Sequence, residues 1–207
     1  LLGTRHIFFL KRHDLIEGAY ARAGLGSDVE MIDDYPSHFG AYSRRKHRWV
    51  RGDWQILRWL FARVPNANNQ LVPNPISLIS RWKIADNVRR SLFDPFAVLL
   101  LLGGWFFLPG AAWKWTLVSV LLLLIPAYAQ LFFALLRAPW RGPVFPWARE
   151  TIRNAIKSHF VVFLQLVFLL HQALLSLDAI ARSVMRQYFT KRKLLEWETA
   201  AEAESAQ

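Results

Sequence analysis

The residues best suited to chemistry lie in "SRRKHRWVRGDWQILRW", Ser43 to Trp59, which packs five arginines, a lysine, a histidine and three tryptophans into seventeen positions. Tryptophan offers a flat apolar face on which a ring can stack, and arginine grips phosphate through two parallel hydrogen bonds. Together they suit a surface for carbohydrate and diphosphate. The same composition also suits an amphipathic helix whose basic face meets water or lipid phosphate. Single-stranded nucleic acid would use a similar mix of stacking and charge, but the long apolar stretches that begin at Phe93 argue against a nucleic-acid partner.

A second candidate is "RHDLIEGAYARAG". Leu15, Ile16, Ala19, Tyr20 and Ala23 repeat at helical spacing, and Gly24 stops the run. Asp14 opens this helix and Glu17 stands three residues on, the spacing of a capping box in which each carboxylate takes an orphan backbone N–H. The alternative is that Asp14 is an exposed general base with His13 beside it. Spacing alone leaves both open. His13 and Glu17 have no third ligand nearby and do not make a metal site. The acids of "SDVEMIDDYP" read as the solvated edge of a short strand and turn.

These residues must be positioned by elements of two different characters. Residues 1–92 are polar and charged; from Phe93 the chain becomes apolar. Overall 54% of residues are hydrophobic, yet Lys and Arg outnumber Asp and Glu by 26 to 15, a pairing typical of membrane proteins with basic cytoplasmic loops. With no cysteine, neither disulfides nor cysteine metal sites are available. The first residues lack the apolar core and cleavage site of a signal peptide, and the chain reads as a piece of something longer.

Segment by segment, residues 1–74 are expected to hold the chemistry and 75–92 an amphipathic helix lying in the membrane interface. Residues 93–136 form a transmembrane hairpin whose second arm, from Trp115, is long enough to cross a bilayer. Residues 137–159 are a cytoplasmic loop, 160–190 a third apolar helix, and 191–207 a cytosolic helical tail. Basic residues before the hairpin (Arg81, Lys83, Arg89, Arg90) and after it (Arg137, Arg141, Arg149) put both flanks in the cytoplasm. In the third stretch Gln165 and Gln172, and His171 and Asp178, are spaced by seven and form a polar stripe. A spanning helix would turn that stripe inward; an interfacial or re-entrant helix is favoured, because basic clusters flank both ends.

From Ser43 to about Arg63 there is no proline and one glycine, so a single helix is expected. On it Arg48, Arg51, Gln55 and Arg58 share one face, and Trp49, Ile56 and Leu60 another. Two stretches there approach Q-x-x-R-W, a signature of processive sugar polymerases: the literal Gln55-Ile56-Leu57-Arg58-Trp59, and Arg45-Lys46-His47-Arg48-Trp49, with arginine in the glutamine position.

The succession "HDLIEGAYARAGL", "DDYPS", "RRKHRWVRGDWQ", "DNVRRSLFDP", "HQALLSLDAIARSVMR" and "TKRKLLEWETAAEAE" strongly resembles the membrane glycosyltransferase part of bacterial cyclic β-1,2-glucan synthases, from about Arg12 to Glu204. More distantly it is similar to the periplasmic glucan glucosyltransferases and to the cellulose and hyaluronan synthases. The resemblance implies a mainly α chain: the C-terminal portion of an α/β, GT-A-like glycosyltransferase domain, then interfacial and transmembrane helices. It implies a hexosyltransferase that polymerises glucose from UDP-glucose into β-1,2-glucan with inversion, in the bacterial inner membrane.

In that correspondence Asp14 matches the general base, with His13 supporting it. The R-W pair is followed by two residues and a glycine, which Arg48-Trp49-Val50-Arg51-Gly52 obeys and Arg58-Trp59-Leu60-Phe61-Ala62 does not. Ten helical residues amount to about 15 Å, so one pair cannot stand in for the other. Arg48 and Trp49 are therefore expected at the acceptor and diphosphate, with Arg45, Gly52, Asp53, Trp54 and Gln55 completing the stretch and Arg58 on the surface. A divalent cation, Mg or Mn, is implied by the family's D-x-D motif, which lies upstream of this sequence. The growing glucan, the lipid bilayer and the rest of the same polypeptide are the other implied partners. From a different class, the alternative is a non-catalytic anchoring or transport module whose basic helices grip anionic lipid.

Overall fold

A computed structural model describes residues 14–21, 30, 38–65, 70–139 and 142–190. Residues 1–13, 22–29, 31–37, 66–69, 140–141 and 191–207 lie outside it. His13, most of the "SDVEMIDDYP" strand and turn, and the C-terminal tail therefore carry no structural account.

The chain is mainly helical: α1 (Asp14–Ala21), α2 (Phe39–Gln55), a 3-10 turn (Leu57–Leu60), β1 (Arg63–Pro65), β2 (Leu71–Pro73), α3 (Leu78–Phe106), α4 (Ala112–Leu136), α5 (Val144–Val167), α6 (Leu169–Met185) and a π-helical turn (Arg186–Thr190). Contacts divide it into two units, Leu1–Leu92 with Leu175–Gln207, and Phe93–Leu174.

In the first unit the apolar stripe of α1 finds its core. Ile16, Ile56, Ile76 and Ile84 are buried together, with Leu15, Ala19, Trp59 and Leu60 packed against them. The expected helix over 43–63 ends early, at Gln55. The chain then tightens into the 3-10 turn, with Trp59 N–H bonded to the Ile56 carbonyl at 2.9 Å. Distant side chains hold this ending. Asn74 donates to the carbonyls of Trp59 (2.7 Å) and Phe61 (2.8 Å), and Arg81 Nε donates to that of Leu60 (2.9 Å). β1 and β2 pair antiparallel, Val64 opposite Val72, with Val64 buried.

The segments expected as an interfacial helix and a first membrane arm form one continuous helix, α3. Ser77 caps it, its Oγ accepting from Ser80 N–H at 3.1 Å. Pro95 lies inside it and costs one backbone bond.

In the second unit α3 and α4 join through a tight turn: Phe107 and Leu108 N–H both bond to the Gly103 carbonyl at 2.8 Å, and Gly110 takes φ +100°. A left-handed backbone there suits a residue without a side chain. A Cβ on Gly104 would lie 2.2 Å from that of Trp115, so the two helices meet closely at this glycine. Trp105 Nε1 donates to Thr116 Oγ1 at 2.8 Å above it. On α4, Ser119, Leu123 and Ala127, four residues apart, are buried. α5 packs alongside, with Ser158 Oγ donating to Gln130 Oε1 at 3.2 Å and the rings of Tyr128 and His159 edge to face at 5.4 Å.

Residues 137–159, expected as a loop, are helical from Val144 onward; Pro146 falls in the first helical turn, where its missing N–H has no partner to lose. The third apolar stretch is not one helix either. It breaks at Phe168, and α5 and Leu169–Phe189 are bent by 65°. Gln165 and Gln172 thus sit on different helices, and Gln165, His171 and Asp178 are exposed rather than turned inward. The buried face of α6 runs instead from Leu169 through the small residues Ala173, Ser176, Ala179 and Ser183.

Among the described residues one helix, α4, is long and apolar enough to cross a bilayer. Only 17% of its most apolar window is buried within the described residues. The apolar end of α3, Pro95–Phe106, is twelve residues and spans about 18 Å, short of the ~30 Å hydrocarbon core.

Candidate functional site

All seven residues expected to bind substrate, Arg45, Arg48, Trp49, Gly52, Asp53, Trp54 and Gln55, lie on α2. At 100° per residue, Arg45, Arg48, Trp49 and Gly52 fall within an arc of roughly 100°. His47, Arg51 and Trp54 point the opposite way. The two faces have different fates.

The second face is tied to its neighbours. Trp54 Nε1 donates to Ser91 Oγ at 2.9 Å, and Ser91 Oγ in turn donates to the Val88 carbonyl at 2.7 Å. Asn87 Nδ2 donates to Asp53 Oδ1 at 2.7 Å. These bonds fasten α2 to α3, so the indole N–H of Trp54 and one carboxylate oxygen of Asp53 are engaged within the protein.

Toward α6 and the π-helical turn that follows it there are three more links. His47 Nε2 and Asp178 Oδ2 are 2.8 Å apart, Ser183 Oγ donates to the Arg51 carbonyl at 3.2 Å, and Gln187 Nε2 donates to the Gln55 carbonyl at 3.1 Å. The partners climb together on both helices, so α2 and α6 run parallel.

On the first face Arg45, Arg48 and Gly52 are half-buried and Trp49 is exposed. Trp49 is 52% exposed, and the Arg45 guanidinium lies 4.6 Å from its ring centroid. This cation–π contact fixes the indole as a plate beside a fixed positive charge. Such a plate stacks against an apolar ring face, and a guanidinium beside it adds positive charge to the same surface.

His47 sits directly before Arg48, on the tied face. Partial burial, the largest cause, holds its pKa below the usual 6.5; the nearby positive charges of Arg51 and Arg182 act the same way, and the bond to Asp178 opposes them. At neutral pH the ring is therefore uncharged and donates its Nε2 proton to Asp178. Asp178 is held in turn by Arg182, whose Nε donates at 2.9 Å from one turn further along α6. Sequence reasoning marked Asp178 as part of a polar stripe but missed this pairing, because the two residues are 131 positions apart.

Asp14 is the first residue of α1, and α1 packs through Ile16 onto Ile56, the residue directly after α2. The fold thus brings the helix that starts at Asp14 against the C-terminal end of the Arg–Trp helix. No group of three His, Asp or Glu that could hold a metal ion occurs among the described residues.

The literal Gln55-to-Trp59 motif has a different surrounding. Arg58 has left the helix, is exposed, and stacks over Tyr188 at 5.2 Å. Trp59 packs against the isoleucine core, and its carbonyl is taken by Asn74. The comparison of the two motifs along one continuous helix therefore does not apply; Arg58 and Trp59 belong to the clamp that ends α2.

These elements define a mainly helical chain with, among the described residues, one helix long and apolar enough to span a membrane, and a helix face on which Arg45 stacks on an exposed Trp49. Over 197 residues, 94% of its length, the chain is 36% identical to the cyclic beta-(1,2)-glucan synthase NdvB of Rhizobium meliloti (strain 1021). The chain belongs to the cyclic β-(1,2)-glucan synthase family, and it spans 7% of the length of that relative. No protein-family model matches it.

Proposed function

We propose that the chain is the acceptor-side part of an inverting membrane glucosyltransferase that polymerises glucose from UDP-glucose into β-1,2-glucan. The observation that carries this reading is the face of α2 where Arg45 flanks a half-exposed Trp49 one turn from Gly52, in a relative of a glucan synthase.

The roles follow from the chemistry of inversion. One base must take the acceptor hydroxyl's proton as that oxygen attacks the anomeric carbon, and no covalent intermediate forms. Asp14 is assigned as that base and His13 as its support. Trp49 stacks against the acceptor sugar, while Arg48 and Arg45 balance charge on the leaving diphosphate. A divalent cation in the whole enzyme would share that charge; its ligands are assigned to other parts of the polypeptide.

α4 is assigned to the bilayer as a spanning helix of the bacterial inner membrane, with the catalytic part in the cytoplasm. The first turns of α3 expose Leu78, Ile79 and Trp82 beside Lys83, Arg89 and Arg90. Apolar and basic side chains together seat a helix at an anionic membrane surface. That seat also suits an anchoring module, so activity decides between the readings.

The test supplies labelled UDP-glucose to membranes holding the full polypeptide that carries these residues, and analyses the glucans by mass spectrometry. Wild-type membranes yield β-1,2-linked product and Asp14→Asn membranes yield none. Wild-type levels of product from Asp14→Asn would remove Asp14 as the base, and no glucose transfer by the wild type would leave the anchoring module.

A further inference from the structure

The bond between His47 and Asp178 joins two distant parts of the chain that are both within the first unit. It is the one link between α2 and α6, among those described above, made side chain to side chain. The other two, Ser183 to the Arg51 carbonyl and Gln187 to the Gln55 carbonyl, hold backbone and are indifferent to which residue supplies it. His47 is next to Arg48 and two residues from Trp49. Because the α6 residues buried nearest these links (Ser176, Ala179 and Ser183) are small, their packing alone gives α2 little to stop it from sliding. A directional hydrogen bond near the middle of α2 supplies that missing stop.

We infer that Asp178 is a positioning residue: through His47 it sets the axial register of α2 and so the placement of Arg48 and Trp49 at the substrate. The inference rests on the function proposed above. Asp178 itself touches no substrate. Arg182, by holding the carboxylate from one turn away, fixes the rotamer from which Asp178 accepts the His47 proton. Neutral His47 donates from Nε2, so the acceptor on α6 also selects its tautomer. The charged groups facing His47 are Asp178 and Arg182 from α6 and Arg51 from its own helix.

The test measures KM for UDP-glucose and kcat of the full polypeptide in membranes. A simple loss of folded enzyme lowers the total rate and leaves KM unchanged, whereas a displaced Arg48 weakens the grip on diphosphate. Asp178→Ala is expected to raise KM about tenfold, the worth of one charge-assisted hydrogen bond. Asp178→Asn keeps an oxygen that accepts from His47 Nε2 and is expected to restore KM to within about threefold of wild type. His47→Ala combined with Asp178→Ala is expected to be no worse than the poorer single variant, because both remove the same link.

An unchanged KM in Asp178→Ala overturns the inference. So does an Asp178→Asn enzyme as poor as the alanine variant, or single effects that multiply in the double variant. Should Asp178→Ala fail to accumulate, the asparagine variant and His47→Ala decide alone: a shared KM near wild type overturns the inference, and a raised KM in His47→Ala with a restored one in Asp178→Asn supports it. A wild-type enzyme that transfers no glucose overturns the proposed function instead.

Discussion

Replacing Asn74 should dismantle the ending of α2 without touching the site itself. Its side chain makes three hydrogen bonds: Nδ2 to the Trp59 carbonyl at 2.7 Å, Nδ2 to the Phe61 carbonyl at 2.8 Å, and Oδ1 from the Ile76 N–H at 3.1 Å. The first and third are partly buried and are worth about 1 kcal/mol each; the second is exposed, and water replaces it for about 0.5 kcal/mol. Asn74→Ala should therefore cost about 2–3 kcal/mol, a large share of the 5–15 kcal/mol that holds a typical domain together. Asn74→Asp separates this account from simple loss of side-chain volume. It keeps the acceptor for Ile76 but turns a carboxylate toward two carbonyl oxygens, so it should be at least as damaging as alanine. The measurement is heat-induced unfolding of the detergent-solubilised protein, followed by near-ultraviolet circular dichroism. Asn74→Ala should lower the midpoint by about 10 °C. An aspartate variant as stable as wild type would refute the reasoning, because it would mean that the two donated bonds contribute nothing.

Gly104→Ala places a Cβ 2.2 Å from that of Trp115, so α3 and α4 must separate; a loss of about 1–3 kcal/mol in the same unfolding assay is expected. Trp54→Phe removes the donor to Ser91 while Ser91 keeps its bond to the Val88 carbonyl, so the cost should be about 1 kcal/mol, and adding Ser91→Ala should cost little more. Arg58→Ala should leave glucan synthesis intact while Arg48→Ala abolishes it, in the labelled UDP-glucose assay; the reverse result would return the literal motif to the site. The first unit should lose stability in acid through His47. Its folded pKa lies below 6.5, chiefly because of burial, so the unfolded chain binds the proton first. Stability is then full above 6.5 and falls as pH drops below that value, until the folded ring protonates as well. Unfolding midpoints measured across this range should show that decline in the wild type and a shallower one in His47→Gln.

What was legible in the sequence, and what was not, follows from the range of the forces involved. The short helix from Asp14 and the Arg–Trp helix were readable because helical spacing and the absence of proline are local facts. The end of α2 was not. Gln55 to Arg63 contains no proline or glycine, and the carbonyls of Trp59 and Leu60, in the turn that follows α2, are taken by Asn74 and Arg81, fifteen and twenty-one residues further on. The same limit explains the polar stripe. Nothing local announces a break at Phe168, so His171 and Asp178 were read as one face of a long helix with Gln165 and Gln172. Yet the small residues Ala173, Ser176, Ala179 and Ser183 were in plain view at helical spacing, and they lie on the face that is buried.

For the candidate site the consequence is specific. Residue type alone grouped Asp53 and Trp54 with Arg48 and Trp49, since all four suit sugar and phosphate. Their hydrogen bonds divide them: Asp53 and Trp54 are bonded to α3, His47 is bonded to α6, and Arg45 stacks on an exposed Trp49. A helix pinned by hydrogen bonds to both neighbours can hold Arg48 and Trp49 still, which transfer chemistry requires of groups that balance charge at a departing phosphate. On this argument Asp53→Asn should disturb placement less than it disturbs charge. Its remaining amide oxygen still accepts from Asn87, so glucan synthesis should fall by less than about threefold. A loss as large as that of Arg48→Ala would instead place the Asp53 carboxylate at the substrate.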